Sequence, residues 1–257
     1  MKLTVVIPCK NQSQQLFDNI VKVGLPYFGS LGIDYEFLLV IDGSNEENVS
    51  IANERMKEMP SNVRLAEYEA KVGKGHNVKH GFLEAKGEYV MFMDADFATD
   101  LHVFDSILPE IDKYDGFIAS RHCKGAKILR KQTLIRRFVS AMSRFLIITV
   151  NFHFPFKDSQ CGYKVFRKDL AQEMARRQIT ERFAFDVEYL WFCKLNGFRI
   201  KEVPCVWNDG EVSTIKNARR VSMDFMKDMK LIKKNKKNYI LNAQERQAFG
   251  LPTKEEK

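Results

Sequence analysis

No apolar stretch in this 257-residue chain approaches the roughly 18 residues that a bilayer-spanning helix needs. The nearest, Phe145 to Val150, is short and lies between Arg144 and Asn151. The N-terminal run Lys2-Leu3-Thr4-Val5-Val6-Ile7-Pro8 is too brief for a secretory leader and has no small-residue cleavage site. A soluble or peripheral protein is the expectation. Cysteine is also sparse. Cys9, Cys123, Cys161, Cys193 and Cys205 are odd in number, widely spaced and without a C-x-x-C pair. That excludes a disulfide framework and a zinc ribbon, and fits a reducing, cytoplasmic compartment. Internal repeats and low-complexity linkers are absent too.

Charge is plentiful and biased. The formal net charge is +8, which asks for an anionic partner: nucleic acid, a phosphorylated substrate or an anionic membrane surface. Between Lys216 and Lys237 there are nine Lys or Arg against two Asp. A second cluster comprises Arg130, Lys131, Arg136, Arg137 and Arg144. These residues lack regular aromatic interleaving, and no DNA- or RNA-binding motif accompanies them, so nucleic acid is not expected. A charge run is equally compatible with an ordinary solvated face.

The composition, 45% hydrophobic, suffices for a full core. Through the first 120 residues, strand-length apolar runs alternate with amphipathic segments. Strands are predicted at Leu3–Ile7, Glu36–Ile41, Val63–Tyr68, Tyr89–Met93 and Gly116–Ala119, and helices at Gln14–Val23, Glu46–Glu58, His76–Ala85 and Leu101–Ile111. Near-continuous apolar strands separated by helices specify an α/β fold, a Rossmann-like parallel sheet covered on both faces. Ligands of such sheets bind beyond the carboxyl ends of the strands, where Cys9-Lys10-Asn11, Asp42-Gly43-Ser44 and Asp94-Ala95-Asp96 fall. Farther on, one amphipathic helix is predicted from Ile128 to Val150, with Leu134, Phe138, Met142 and Phe145 on one side. A strand at Tyr163–Phe166, helices at Leu170–Arg177 and Phe185–Leu195, a strand at Phe198–Val203 and a basic helix at Ala218–Lys234 follow. The polar tail from Asn242 is expected to be poorly ordered. This divides the chain into a domain at 1–215 and a basic C-terminal helix and tail at 216–257.

Two aspartates one residue apart, just past a buried strand, are costly unless a cation neutralises them. Asp94 and Asp96 offer the oxygen ligands that Mg²⁺ or Mn²⁺ prefers, with open positions left for substrate phosphates. A D-x-D pair is also a common turn or helix cap. Asp42 can accept hydrogen bonds from a base or ribose, or simply form a turn. In Val72-Gly73-Lys74-Gly75-His76 the glycines permit close backbone approach to a ligand and the lysine can meet a diphosphate, although the Walker A spacing is missing; a glycine-rich helix entry fits the segment equally.

The ordered set of motifs resembles glycosyltransferase family 2, and within it the dolichyl- or polyprenyl-phosphate sugar synthases of the β-glucosyltransferase branch. The resemblance covers residues 3–235. It is carried by Val5-Val6-Ile7-Pro8 with Asn11, Ile41-Asp42-Gly43-Ser44, Gly73-Lys74-Gly75 and Asp94-Ala95-Asp96-Phe97-Ala98-Thr99. Ser120-Arg121, Asp158-Ser159-Gln160-Cys161-Gly162-Tyr163-Lys164-Val165-Phe166 and Phe183-Ala184-Phe185-Asp186-Val187-Glu188 complete it. The resemblance implies a GT-A fold, a divalent metal and a nucleotide-diphosphate sugar donor, with UDP-glucose and polyprenyl phosphate as the leading pair. By the same resemblance Pro8, Asn11 and Asp42 belong to the nucleoside pocket, with Lys74 nearby, and Asp94, Ala95 and Asp96 serve metal and diphosphate. Arg121, Arg136 and Ser140 look like acceptor-phosphate elements, and Gln160, Cys161 and Gly162 flank the sugar and acceptor. Asp186 or Glu188 is the candidate base for an alcohol acceptor, or both are structural carboxylates. The chain departs from the family pattern at Gln12, where a glutamate is usual, at Ile41, where the first acid of Asp-Asp-Gly-Ser stands, and at Ala98. It also lacks the transmembrane helices of many relatives. A soluble glycan, protein or teichoic-acid-like acceptor and a GDP-mannose donor are the alternatives; the oligomeric state is unknown.

Overall fold

In a computed structural model, the residues described are 2–43, 45–66, 73–129, 147, 151–208 and 218–252. Seven strands form one mixed sheet: β1 (Lys2–Cys9), β2 (Asp34–Ile41), β3 (Val63–Leu65), β4 (Tyr89–Met93), β5 (Gly116–Ser120), β7 (Tyr163–Arg167) and β8 (Ile200–Pro204). Their order is β3-β2-β1-β4-β7-β5-β8. All pairings are parallel except those of β7, which runs antiparallel to both β4 and β5. A two-stranded sheet pairs β6 (Lys127–Ile128) with β9 (Val206–Trp207).

The central strands read as continuous apolar runs because both faces are covered. Val6, Leu38, Val90 and Phe92 face one core, packed by α4 (Lys74–Glu84), α6 (Lys168–Arg177) and α7 (Phe185–Asn196). Val5, Ile7, Leu39 and Met91 face the other, packed by α1 (Ser13–Asn19), α2 (Leu25–Ser30) and α5 (Val103–Ile107). The predicted helix at Gln14–Val23 is in fact two pieces, α1 and a π-helical segment Ile20–Gly24, and the latter runs on into α2 beyond the predicted end. The one predicted at Leu101–Ile111 gives way to a 3₁₀ turn at Leu108–Lys113, where Pro109 lacks the amide that an α-helix needs.

The chain leaves β1 toward β2 and β3 on one side, whereas β4 lies on the other. This reversal of order opens a crevice at the carboxyl ends of β1 and β4. The β1–β4 ladder stops at Val6↔Phe92, so the strands part just before Pro8 and Asp94. Antiparallel β7 starts where β4 ends, with Met93 opposite Tyr163, and brings the 158–162 loop to the same edge.

Two expectations change. Ile128 belongs to β6 and Leu129 to the bend after it rather than to a helix start; of the rest of the predicted Ile128–Val150 helix only buried Ile147 is among the described residues. The polar tail is folded as far as its description runs. Asn242 and Glu245 form a reciprocal capping box for α9 (Ala243–Ala248), Leu241 is buried, and Phe249 packs edge-on against Phe198 at 5.2 Å. The basic helix, α8, is as predicted, Ala218–Lys234.

Candidate active site

The residues expected on the nucleoside side gather on the first two strand ends. Asn11 holds φ 57, a left-handed geometry that asparagine tolerates, and its Oδ1 accepts from Asn45 Nδ2 at 3.0 Å. Asp42 is almost wholly buried; its carboxylate meets Lys10 Nζ at 3.0 Å, and its amide donates to the Cys9 carbonyl. Pro8, Asn11 and Asp42 therefore share one corner of the crevice, β1 and β2 being paired from Lys2↔Asp34 to Cys9↔Ile41.

Asp94-Ala95-Asp96 turns at the end of β4. Ala95 is buried in the core, and its carbonyl accepts from Asn19 Nδ2 at 3.1 Å. Asp96 Oδ1 accepts from the Ala98 amide at 3.0 Å, and Phe97 takes a positive φ of 52 to close the turn. Asp96 is thus both a turn former and a candidate ligand. Burial, and then the Asp94 charge, raise its pKa above the ordinary carboxylate value. Asp94 Oδ1 lies 2.5 Å from Lys74 Nζ, and its amide donates to the Gly162 carbonyl at 3.2 Å. Gly162 has no alternative here: a Cβ built on it falls 1.9 Å from Asp94 Oδ2.

The Gly73-Lys74-Gly75 segment is the entry to α4, with Gly73 at the N-cap. Its glycines do permit close backbone approach, but what they approach is the chain itself. A Cβ on Gly73 would sit 2.6 Å from the Glu181 carbonyl oxygen, and one on Gly75 would sit 2.7 Å from that of Arg182. The amides of Gly75 and His76 donate to the Arg182 and Glu181 carbonyls, so both are already engaged. Only the Lys74 side chain reaches the crevice. Burial works against its ammonium, but Asp94, Asp186 and Asp96 outweigh that and raise its pKa.

Behind this pair lies another, in which Asp186 meets Lys164, a residue with no role assigned from the sequence. Lys164 is 1% exposed; it meets Asp186 Oδ1 at 2.5 Å and donates to the Cys161 carbonyl at 2.6 Å. Both ammonium groups lie over the Phe92 ring, Lys74 at 5.3 Å and Lys164 at 5.9 Å from its centroid. The available signal was a lysine between apolar Tyr163 and Val165 in a strand, a burial that only a partner carboxylate makes tolerable. Burial raises the Asp186 pKa in spite of Lys164 and Lys74. Glu188 is structural: it accepts from the Ile179 and Thr180 amides, the Thr180 hydroxyl and the Tyr239 hydroxyl.

On the far side, Arg121 grips Asp158 in two places, Nε to Oδ2 at 2.7 Å and Nη2 to Oδ1 at 3.0 Å, over the Trp207 ring. Asp158 Oδ1 also takes the Gln160 amide, which fixes the loop. The Cys161 side chain is buried beside Thr99 Oγ1, leaving half-buried Gln160 as the loop's more accessible group. Lys124 is exposed nearby in sequence, whereas Arg136 and Ser140 lie outside the described residues.

Acidic, oxygen-rich and set against glycine and lysine, the Asp94–Asp96 turn fits a hard divalent cation. Among the described residues no group of three or more His, Cys, Asp or Glu forms a metal cage. Two carboxylates with remaining positions for phosphate oxygens is the pattern that Mg²⁺ adopts with nucleotides.

The model of the family described as "Glycosyl transferase family 2" matches residues 4–175. This chain belongs to that family. The glycosyltransferase is 28% identical over 218 residues to a dolichyl-phosphate beta-glucosyltransferase of Dictyostelium discoideum, covering 80% of this chain and 66% of the relative. It is 26% identical over 249 residues to the Saccharomyces cerevisiae protein of the same name, covering 90% and 74%. The chain thus spans about two thirds to three quarters of these relatives. Among solved structures, glucosyl-3-phosphoglycerate synthase from Mycobacterium tuberculosis in complex with UDP superposes with a TM-score of 0.62 at 12% identity, over 94% of this chain and 82% of that one. Mannosyl-3-phosphoglycerate synthase from Rubrobacter xylanophilus gives 0.58 at 11%, over 95% and 77%. The glycosyltransferase therefore has the GT-A fold that the motifs implied.

Proposed function

We propose that this glycosyltransferase moves a glucosyl group from UDP-glucose to dolichyl or polyprenyl phosphate, with inversion at the anomeric carbon. The observation that favours a phosphate acceptor is the state of the two carboxylates that an alcohol acceptor would need as base. Glu188 is saturated by four donors, and Asp186 is buried against Lys164. A lipid monophosphate, with a second pKa near ~6, is mostly dianionic at neutral pH and attacks without a base. The relatives named for dolichyl phosphate and glucose supply the choice of sugar and lipid.

Asp94 and Asp96 would hold Mg²⁺ or Mn²⁺, which as a Lewis acid stabilises the leaving nucleoside diphosphate. Asp42 and Asn11 orient the nucleoside, and Lys74 adds a cation beside the diphosphate. Arg121 spends its Nε edge on Asp158, so it positions the Asp158–Gly162 loop. Its Nη1, which makes no hydrogen bond among the described residues, is the part left for the acceptor phosphate, with Arg136, Ser140 and Lys124 as further candidate contacts.

Docking at the cytoplasmic face of an anionic membrane would bring the lipid to the site. No described helix is long and apolar enough to cross a membrane. The outward face of α8 instead exposes Met223, Met226 and Leu231 among Arg220, Lys227, Lys230, Lys233 and Lys234. Each such cation contributes about 1 kcal/mol near an anionic leaflet, and the apolar side chains add interfacial burial. The test is a panel of nucleotide sugars with Mn²⁺ or Mg²⁺, with and without short-chain polyprenyl phosphate. Lipid-dependent release of UDP from UDP-glucose is the expected result. Release only with a free glycan overturns the acceptor assignment, and release only from GDP-mannose overturns the donor.

A further inference from the structure

We propose that Lys74 is a resident placeholder for the divalent cation: its ammonium holds Asp94 until a metal–nucleoside diphosphate complex arrives, then passes to the diphosphate. Metal alone then binds weakly, and metal and nucleotide bind cooperatively. This rests on the metal reading of Asp94 and Asp96 above.

Three features of the site carry it. Lys74 Nζ stands 2.5 Å from Asp94 Oδ1, with the two side chains only 29% and 33% exposed, so water screens the pair incompletely. A dication shared by Asp94 and Asp96 would meet this ammonium at contact distance, and like charges that close repel strongly. Second, Asp94 cannot retreat from the conflict. Gly162 walls its other side, the space there being too small even for a methyl group. Third, Lys74 can move while its backbone stays. The α4 start is pinned through Gly75 and His76 to the Arg182 and Glu181 carbonyls, and the lysine stem is a flexible four-carbon chain.

A diphosphate changes the balance, because its oxygens coordinate the metal and offer the ammonium a new anion. Free nucleotide alone gains less, since Lys74 would have to abandon Asp94 uncompensated. Coupling between ligands is reciprocal: the factor by which nucleotide tightens metal must equal the factor by which metal tightens nucleotide.

The experiment is Mn²⁺ binding, followed by electron paramagnetic resonance of the free ion, with no nucleotide, with UDP and with GDP. Wild type, Lys74→Gln, Lys74→Arg and Asp96→Ala are compared, with thermal unfolding as a check on folding. Wild type should bind Mn²⁺ at least about tenfold more tightly with nucleotide, within the usual range of coupling. Lys74→Gln should bind Mn²⁺ alone about fivefold or more tighter than wild type and lose most of the coupling. Lys74→Arg, which keeps the charge, should retain weak lone-metal binding. Equal or weaker lone-metal binding by Lys74→Gln overturns the placeholder while leaving the metal site standing. Should Lys74→Gln fail to fold, wild type decides: Mn²⁺ binding as tight without nucleotide as with it overturns the proposal. Absence of Mn²⁺ binding to wild type in every condition overturns the placeholder and the metal reading together.

Discussion

Replacing Gly162 with alanine is a one-methyl change that should silence the enzyme without unfolding it. The added Cβ would lie 1.9 Å from Asp94 Oδ2, 2.4 Å from Cγ and 2.8 Å from Oδ1. Real Cβ atoms essentially never approach closer than 3.0 Å, so the carboxylate must withdraw by more than about 1 Å. Lys74 holds the same carboxylate from the other side, and the Asp94 amide is tied to the Gly162 carbonyl, so backbone relief is limited. A misplacement of about 1 Å can cost roughly 10²-fold in rate, equivalent to about 2.7 kcal/mol of barrier. Asp94 is partly exposed, so the fold itself should lose no more than about 2 kcal/mol, the lower part of the overpacking range. The assay is steady-state nucleotide release from the donor under saturating Mn²⁺, paired with thermal unfolding. Asp94→Ala on the Gly162→Ala background should restore the melting temperature but not the activity, because the clash is gone and so is the ligand. Wild-type turnover by Gly162→Ala would refute the placement of Asp94 at the reacting centre.

Other residues give cleaner structural tests. Asp158→Asn removes the buried carboxylate that holds half-buried Arg121 and should cost about 2 kcal/mol in denaturant unfolding at pH 7. Burial opposes ionisation of Asp158, but Arg121 outweighs it and holds the pKa below the ordinary value. That stabilisation is present above the unfolded carboxylate pKa near ~3.9 and is lost as pH falls through the lower folded value, so the variant and wild type should converge in acid. Tyr239→Phe removes one donor from Glu188 and should cost about 1.5–3 kcal/mol in the same assay with KM for the donor unchanged. A shift in KM would place Glu188 in the site instead. Charge reversal of Lys227, Lys230 and Lys234 should sharply reduce co-sedimentation with anionic vesicles while sparing turnover of a short, water-soluble acceptor. Undiminished sedimentation would remove α8 as the docking face.

The strands that place the site were readable because each is a run of apolar residues buried on two faces, as in Val5-Val6-Ile7 and Tyr89–Met93. The carboxyl edge of the sheet is where Asp94 and Asp96 are expected from the sequence, and both stand there, past the end of β4. The antiparallel insertion of β7 was not readable, because strand direction is set by long-range pairing that local pattern does not encode. Its consequences, Gly162 against Asp94 and Lys164 against Asp186, were therefore invisible too. The glycines around Lys74 leave two readings open for a related reason: close backbone approach is legible, but its partner is not. The folded tail has a legible mark in Asn242 and Glu245, a capping box whose signal is masked by the polar residues around it.

In the proposed reaction Asp94 and Asp96 would activate a nucleotide sugar for transfer to a lipid phosphate. The most direct test is transfer of radiolabelled glucose from UDP-glucose to polyprenyl phosphate, read as label partitioning into organic solvent. The account predicts lipid-extractable label that requires Mg²⁺ or Mn²⁺ and vanishes in Asp96→Ala with the fold intact. Label that forms equally without a divalent cation, or persists in Asp96→Ala, would contradict it.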